Sequence, residues 1–441
     1  MRASRFPLLL ALLAFSSCGG KSSSDGGGET FRTTFRYFHV TGNTAESNQN
    51  MPLMSETDIT LIQNQTGTNQ TAGLGFIAGR IDNGAGVGIA GVTVQAHNDS
   101  GLPAGSIFYQ SAINFAYTTV LTMTSSTGRF VVMNVQAGRV NIKCSAGADG
   151  NMYVRVPAGT TVFAQIAAAA TGTQPNWSGL TSNLVASGRN VPGAAEPSVN
   201  YQVLGFTSSP GPASNGTTGA FDLGTVPARN SFLVKCTKAS FVDTYTYVQT
   251  VNADLTAGLG GGNIFITSTA NRDSEINATS VALTAGTGII TGRIISGAGG
   301  FTVEARDDND QVVGTVMYGD NSDGGRPSAA LTMTQTDGIF YIYNVPPGQI
   351  YIDATKSGEA VSTYVDAFAD GITVTPDLSP LIQSQATITI SGALATLQGF
   401  AVSKGQITLH GVGITDESDA FGEYTLSAVP TQHVYIVRTS K

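Results

Sequence analysis

The chain has 441 residues and a formal net charge of −8, and only 12% of its residues are charged, about half of the usual 25% or so. No basic cluster accompanies that balance, which excludes nucleic acid as a partner. The length accommodates about three or four domains, and no apolar run reaches the roughly 18 residues that mark a membrane-spanning helix.

Residues 1–18 read as a secretory signal peptide. Arg2 and Arg5 precede a short apolar run, Pro7–Phe15, too short to cross a bilayer. The segment ends in Ser16, Ser17, Cys18 and Gly19, which resembles the cleavage box of bacterial lipoproteins. The resemblance implies that Cys18 becomes the lipidated first residue of the mature protein, so that the lipid at Cys18 holds the chain to a membrane. Gly19, where an aspartate would signal retention at the inner membrane, implies the outer membrane and a possible place at the cell surface. Residues 19–30 are rich in Gly and Ser and form a flexible tether on the order of 20 Å long. Residues 31–72 hold two strand-like segments, Thr34–Val40 and Asp58–Gln63.

Beyond residue 72 a strand–turn–strand unit occurs four times, with the frame Gly-x-aromatic-x-aliphatic-x-x-Val. Gly128, Gly219, Gly338 and Gly422 stand where a tight turn needs positive φ. Phe130, Phe221, Phe340 and Tyr424 follow two residues later, on the strand face that carries Val132, Leu223, Ile342 and Leu426. Pro227, Pro346 and Pro430 close three of these strands. The pattern divides the chain into units at 73–172, 173–285, 286–385 and a shortened 386–441. Units one and three share Gly79–Ile81 with Gly292–Ile294 and Leu121–Thr124 with Leu331–Thr334, and Gly128 and Gly338 lie 210 residues apart, against 203 for Gly219 and Gly422. The order is therefore A-B-A-B, as duplication of a two-domain unit would leave it.

The runs from Gly75 to Gly147 and from Thr287 to Gly358 resemble carboxypeptidase-regulatory-like domains. That resemblance implies an all-β chain of tandem seven-stranded prealbumin-like β-sandwiches, similar in fold to starch-binding-type modules. The family serves as an accessory to enzymes and surface proteins and has no catalytic residues to carry over.

The remaining chemistry is sparse. Cys144 and Cys236 occupy equivalent inward places in two units, too far apart to be bridged, and read as small buried side chains. His39, His97, His410 and His433 show no metal-ligand spacing, and no catalytic motif is present. No metal and no cofactor are expected. The acidic run Asp307–Asp310 with Gly319–Gly325 lacks the closing acid of a calcium loop and reads as turn chemistry. Tyr341, Tyr343 and Tyr351 alternate with inward residues, so they should stand on an outer face. There they are a candidate ligand contact for sugar or protein, unless a neighbouring unit or the loop at 317–330 covers them. Trp177 lies between units one and two.

Unit two continues past its hairpin with Thr244–Val251 and Asn263–Thr267, and unit four ends before any such strands. The N-terminal segments could replace them, within the chain or between chains, where the second route would give self-association. The alternative is that they extend unit one. The reading is a non-enzymatic, lipid-anchored envelope protein with a structural, adhesive or spacer role. Its alternative is a carbohydrate-binding accessory lipoprotein, with a polysaccharide or a surface protein as partner.

Overall fold

A computed structural model of the chain describes residues 29–39, 51–84, 86–172, 176–183, 196–206, 217–226, 231–249, 264–295, 299–378, 381–382, 387–397, 400–430 and 434–441. The fold is all-β, with two short α-helices and one 3-10 turn, Asn321–Asp323, among the described residues. Each hairpin carries its aromatic residue into a separate core: Phe130, Phe221, Phe340 and Tyr424 are at most 4% exposed and belong to four different hydrophobic clusters. The turn glycines before them have φ between +67° and +78°, which an L side chain adopts only under strain. A further glycine constraint explains the shared Gly-Arg pair: a Cβ at Gly79 or Gly292 would overlap the ring of Phe130 or Phe340.

The three-residue step from Val132 to Val135 breaks strict alternation, and a bulge accounts for it. Gly75 and Ile77 pair with Val135 and Val132, and Asn134 takes the left-handed conformation. The same bulge recurs at Asn344 in unit three.

Two long sheets cross from one unit to another. In one, strand Thr34–His39 pairs antiparallel with Val434–Ser440 of unit four and parallel with Thr161–Ala167 of unit one. In the other, Thr244–Gln249 of unit two pairs antiparallel with Ser231–Thr237 and parallel with Ile372–Val374 of unit three. The registers correspond: Thr34 faces Thr439 and Thr161, as Thr244 faces Cys236 and Ile372. The N-terminal strand thus fills, beside the last strand of the same chain, the place that Thr244–Gln249 fills in unit two. Met51–Pro52 does likewise. It pairs parallel with Thr387–Ala395, as Ile264–Ser268 pairs with Asn176–Asn183. The strands of residues 386–441 are therefore joined within the chain by Thr34–His39 and Met51–Pro52.

The segment Asp58–Gln63 is not a strand. It lies in helix α1, Glu56–Thr66. Its alternating apolar residues imitate a strand, but Ser55 and Asp58 form a capping box, with Asp58 N–H donating to Ser55 Oγ at 3.0 Å and Ser55 N–H donating to Asp58 Oδ2 at 3.2 Å. Ile59, Ile62 and Thr66 then face inward at helical spacing. Helix α2, Thr269–Thr279, follows Ser268 in the same way and uses it as N-cap. Each helix covers the outer sheet face of the sandwich that follows it. α1 packs over Val131 and Met133, and α2 packs over Tyr341 and Tyr343.

Candidate functional site at the central seam

The helices and the neighbouring units bury the tyrosines that period 2 places on an outer face. Tyr341, Tyr343 and Tyr351 are at most 6% exposed. Tyr341 donates its hydroxyl hydrogen to Gly325 O at 2.9 Å, and Tyr343 lies in the cluster under α2 with Ile276. Tyr351 packs against Tyr364, with ring centroids 5.0 Å apart, and against Gly411 of unit four. They form no exposed ligand platform. A sandwich face that large and apolar needs cover, and the chain supplies it from a helix, a loop and a neighbouring unit. Cys18 lies outside the described residues, as does the side chain of Trp177.

Cys144 is half-buried and Cys236 buried, and both are free thiols. Burial pushes the Cys144 thiol up to about 12, so it stays protonated and unreactive. His97 is buried within unit one, and burial lowers its pKa. Asp307 closes a local turn, its Oδ1 accepting the N–H groups of Asn309 and Gln311. Asp308 and Asp310 reach outward to His410 of unit four, with Asp310 Oδ1 2.7 Å from His410 Nδ1. Among the described residues no group of three or more His, Cys, Asp or Glu is placed to hold a metal ion.

A cluster of tyrosines and charged groups lies where units one and three meet, with the N-terminal strand and unit two at its sides. A cleft of about 230 Å³ opens there, lined by Tyr37, Arg139, Tyr153, Arg155, Tyr247, Gln349, Tyr364 and Asp366 among others. Its tyrosines come in corresponding pairs. Tyr37 accepts the Arg155 N–H at 3.1 Å, and Tyr247 accepts the Asp366 N–H at 2.8 Å. Tyr153 donates to Leu204 O and accepts the Leu233 N–H, as Tyr364 donates to His410 O and accepts the Ile436 N–H. Each hydroxyl thus meets the backbone of an adjoining unit or strand. Burial raises Tyr37 to about 12 and takes Tyr247 well above its ordinary value, so all of these bonds persist at neutral pH.

The charged groups break this correspondence. Arg139 is buried. It donates through Nε to Asp99 Oδ1 at 2.9 Å and through Nη1 to Asp366 Oδ2 at 3.0 Å. Tyr247 donates to the same Asp366 oxygen at 2.9 Å. The Arg139 guanidinium also lies 4.9 Å from the Phe368 ring centroid. Burial opposes its charge, but the charges of Asp366, Tyr247 and Asp99 outweigh burial and raise its pKa. Arg139 and Asp366 form a buried ion pair across units one and three, made through one oxygen of the carboxylate. Arg155 is different. Its side chain is 33% exposed and approaches Asp308 only to 3.7 Å and Asp366 Oδ1 only to 3.9 Å. Asp366 Oδ1 is buried and accepts no hydrogen bond among the described residues.

The residue pattern carried a signal for this seam. Thr34-Phe35-Arg36-Tyr37 and Thr244-Tyr245-Thr246-Tyr247 share Thr-aromatic-x-Tyr, and the two tyrosines sit at the same place in their strands. Nothing in the local sequence marks Arg139, Arg155 or Asp366, because they meet only when units one and three come together.

No protein-family model matches the chain, and no curated protein matches it. Among solved structures it is similar to the TIE protein of Bacillus anthracis, at 10% identity over 70% of this chain and 51% of that one, with a TM-score of 0.17. It is also similar to BcpA, the major pilin subunit of Bacillus cereus, at 11% identity over 81% of this chain and 85% of that one, with a TM-score of 0.16. A third is the major pilin SpaD of Corynebacterium diphtheriae, at 10% identity over 82% and 81%, with a TM-score of 0.16. The chain spans about half the length of the first of these, 51%. Likenesses this distant carry no argument about fold or function.

Proposed function

We propose that the chain is a non-enzymatic, lipid-anchored protein of the cell envelope with a structural, adhesive or spacer role. The observation that carries the reading is the closure of the chain, with Thr34–His39 lying beside Val434–Ser440. Closure binds four sandwiches into one body through continuous sheets and buried seams, as a load-carrying or presenting element requires. The tyrosines of the central seam bond to backbone groups and, for Tyr247, to Asp366, and its buried arginine bonds to two carboxylates, so these groups tie the units together. The carboxypeptidase-regulatory-like resemblance, the four-unit division and the origin by duplication belong to the same proposal. Self-association by strand donation has little support, because the donor strand is already used inside the chain.

The test of anchoring is metabolic. Growth with labelled palmitate should label the protein, and Cys18→Ser should release it from membranes unlabelled. An unlabelled, freely soluble wild-type protein with a different mature N-terminus would defeat the reading. The second reading, carbohydrate binding, draws on one observation, the unpaired carboxylate oxygen beside a loosely held arginine in the central cleft.

A further inference from the structure

We propose that the central cleft is a binding site for a single sugar ring, held through a vicinal diol between Asp366 and Arg155. The inference deepens the carbohydrate-binding reading and is independent of the lipid anchor. Its first support is an unmet demand beside a partly exposed cation. Asp366 is 7% exposed, and its Oδ1 accepts no hydrogen bond among the described residues. A buried carboxylate oxygen left so is unfavourable, and a ligand that donates to it removes that penalty. The Arg155 guanidinium stands 3.9 Å from that oxygen, beyond hydrogen-bond reach.

A group that bridges them must offer a hydrogen to Asp366 and an oxygen to Arg155, from one hydroxyl or from two neighbouring ones. Adjacent hydroxyls on a sugar ring do both and add no charge. A charged ligand would instead compete with one member of the Arg139–Asp366 pair, whose contact at 3.0 Å is already made. The second support is size. A cleft of about 230 Å³ is far larger than the ~30 Å³ share of one water, and it lies below the ~300–1,000 Å³ of pockets for larger ligands. The third is the wall. Tyr37 and Tyr247 line the cleft, and their hydroxyls are bonded to other lining residues, Tyr37 to Gln349 and the Arg155 backbone and Tyr247 to Asp366, so they hold Arg155 and Asp366 in place for a ligand. The partial exposure of Arg155 gives an entry route for a free sugar or for the terminal residue of a longer chain.

The test uses the purified full chain and the methyl glycosides of glucose, galactose and mannose, with methyl-group shifts or calorimetry as readout. One of them should bind with Kd of about 1 mM, and a disaccharide ending in that sugar distinguishes chain-terminal recognition from free-sugar recognition. Arg155→Gln should weaken binding by about tenfold or more without unfolding the protein, because Tyr37 is bonded to the Arg155 backbone and not to its side chain. Arg155→Lys should restore part of the loss. The proposal is overturned if no glycoside binds up to about 100 mM, if binding survives Arg155→Gln, or if glycine binds in preference to every glycoside.

Discussion

At the residue scale, His410 shows how little chemistry is needed to fasten one sandwich to another. Its side chain is 5% exposed and faces Asp308 and Asp310 from unit three, with Tyr364 beside it. Burial opposes its charge, but the two carboxylates outweigh burial and raise its pKa to about 9. Arg438 adds a second positive charge near Asp310. Burial opposes ionisation of Asp310, yet the bonds from His410 and Gly411 N–H hold its carboxyl below the ordinary value. The folded pKa of His410 lies above its unfolded value of about 6.5, so its contribution is complete below that pH and fades as pH rises through 9. The contact between units three and four should therefore weaken between about pH 6.5 and 9, by at most ~3 kcal/mol, because Asp308 is 44% exposed and screened. Thermal unfolding followed over that range should slope downward in the wild type and flatten in His410→Gln. A wild-type profile as flat as the variant's would exclude the clamp.

At the element scale, the two helices do the same work with different residues. α1 buries Ile59 and Ile62 against unit one, and α2 places Ile276 against unit three with Glu275 next to it in sequence. Burial raises Glu275 to about 7, so its ionised form works against α2 packing at neutral pH. By the sign of that shift, stability is greatest below its unfolded pKa near 4.5 and is lost as pH rises through 7. Glu275→Gln should therefore stabilise the protein by about 1–2 kcal/mol at pH 8.5 and by much less near pH 4.5. Equal melting temperatures for variant and wild type at pH 8.5 would show that the helix does not carry this strain. These helices were the least legible elements. The hairpins could be read because turn glycines and period-2 aromatics are local facts, and Phe130, Phe221, Phe340 and Tyr424 are all buried as that register requires. α1 was hidden because Asp58–Gln63 alternates like a strand, although the Ser55 and Asp58 pair was a readable start signal. The cover over Tyr341 and Tyr343 was hidden for another reason. Period 2 assigns residues to faces but does not reveal what packs on the far face.

At the scale of the whole molecule, two inter-unit sheets of corresponding register tie the chain together. Units two and three share one sheet through Thr244–Gln249, and units four and one share another through Thr34–His39. The first link follows chain order. The second joins Thr34 to Thr439, 405 positions apart in the chain. The shortened end of unit four made a missing strand legible. The pairing of Thr34 with Thr439 was not, since strand order across such a separation is settled by packing alone. The Arg139–Asp366 pair and the tyrosine seam then fix units one and three across the centre. Ring closure is the central claim, and hydrogen exchange after deletion of residues 30–39 tests it most directly. Closure requires that the amides of Val434–Ser440 and Gln406–Leu409 lose protection while those of Ile339–Val345 in unit three keep theirs. Unchanged protection of Val434–Ser440 in the deleted chain would contradict it.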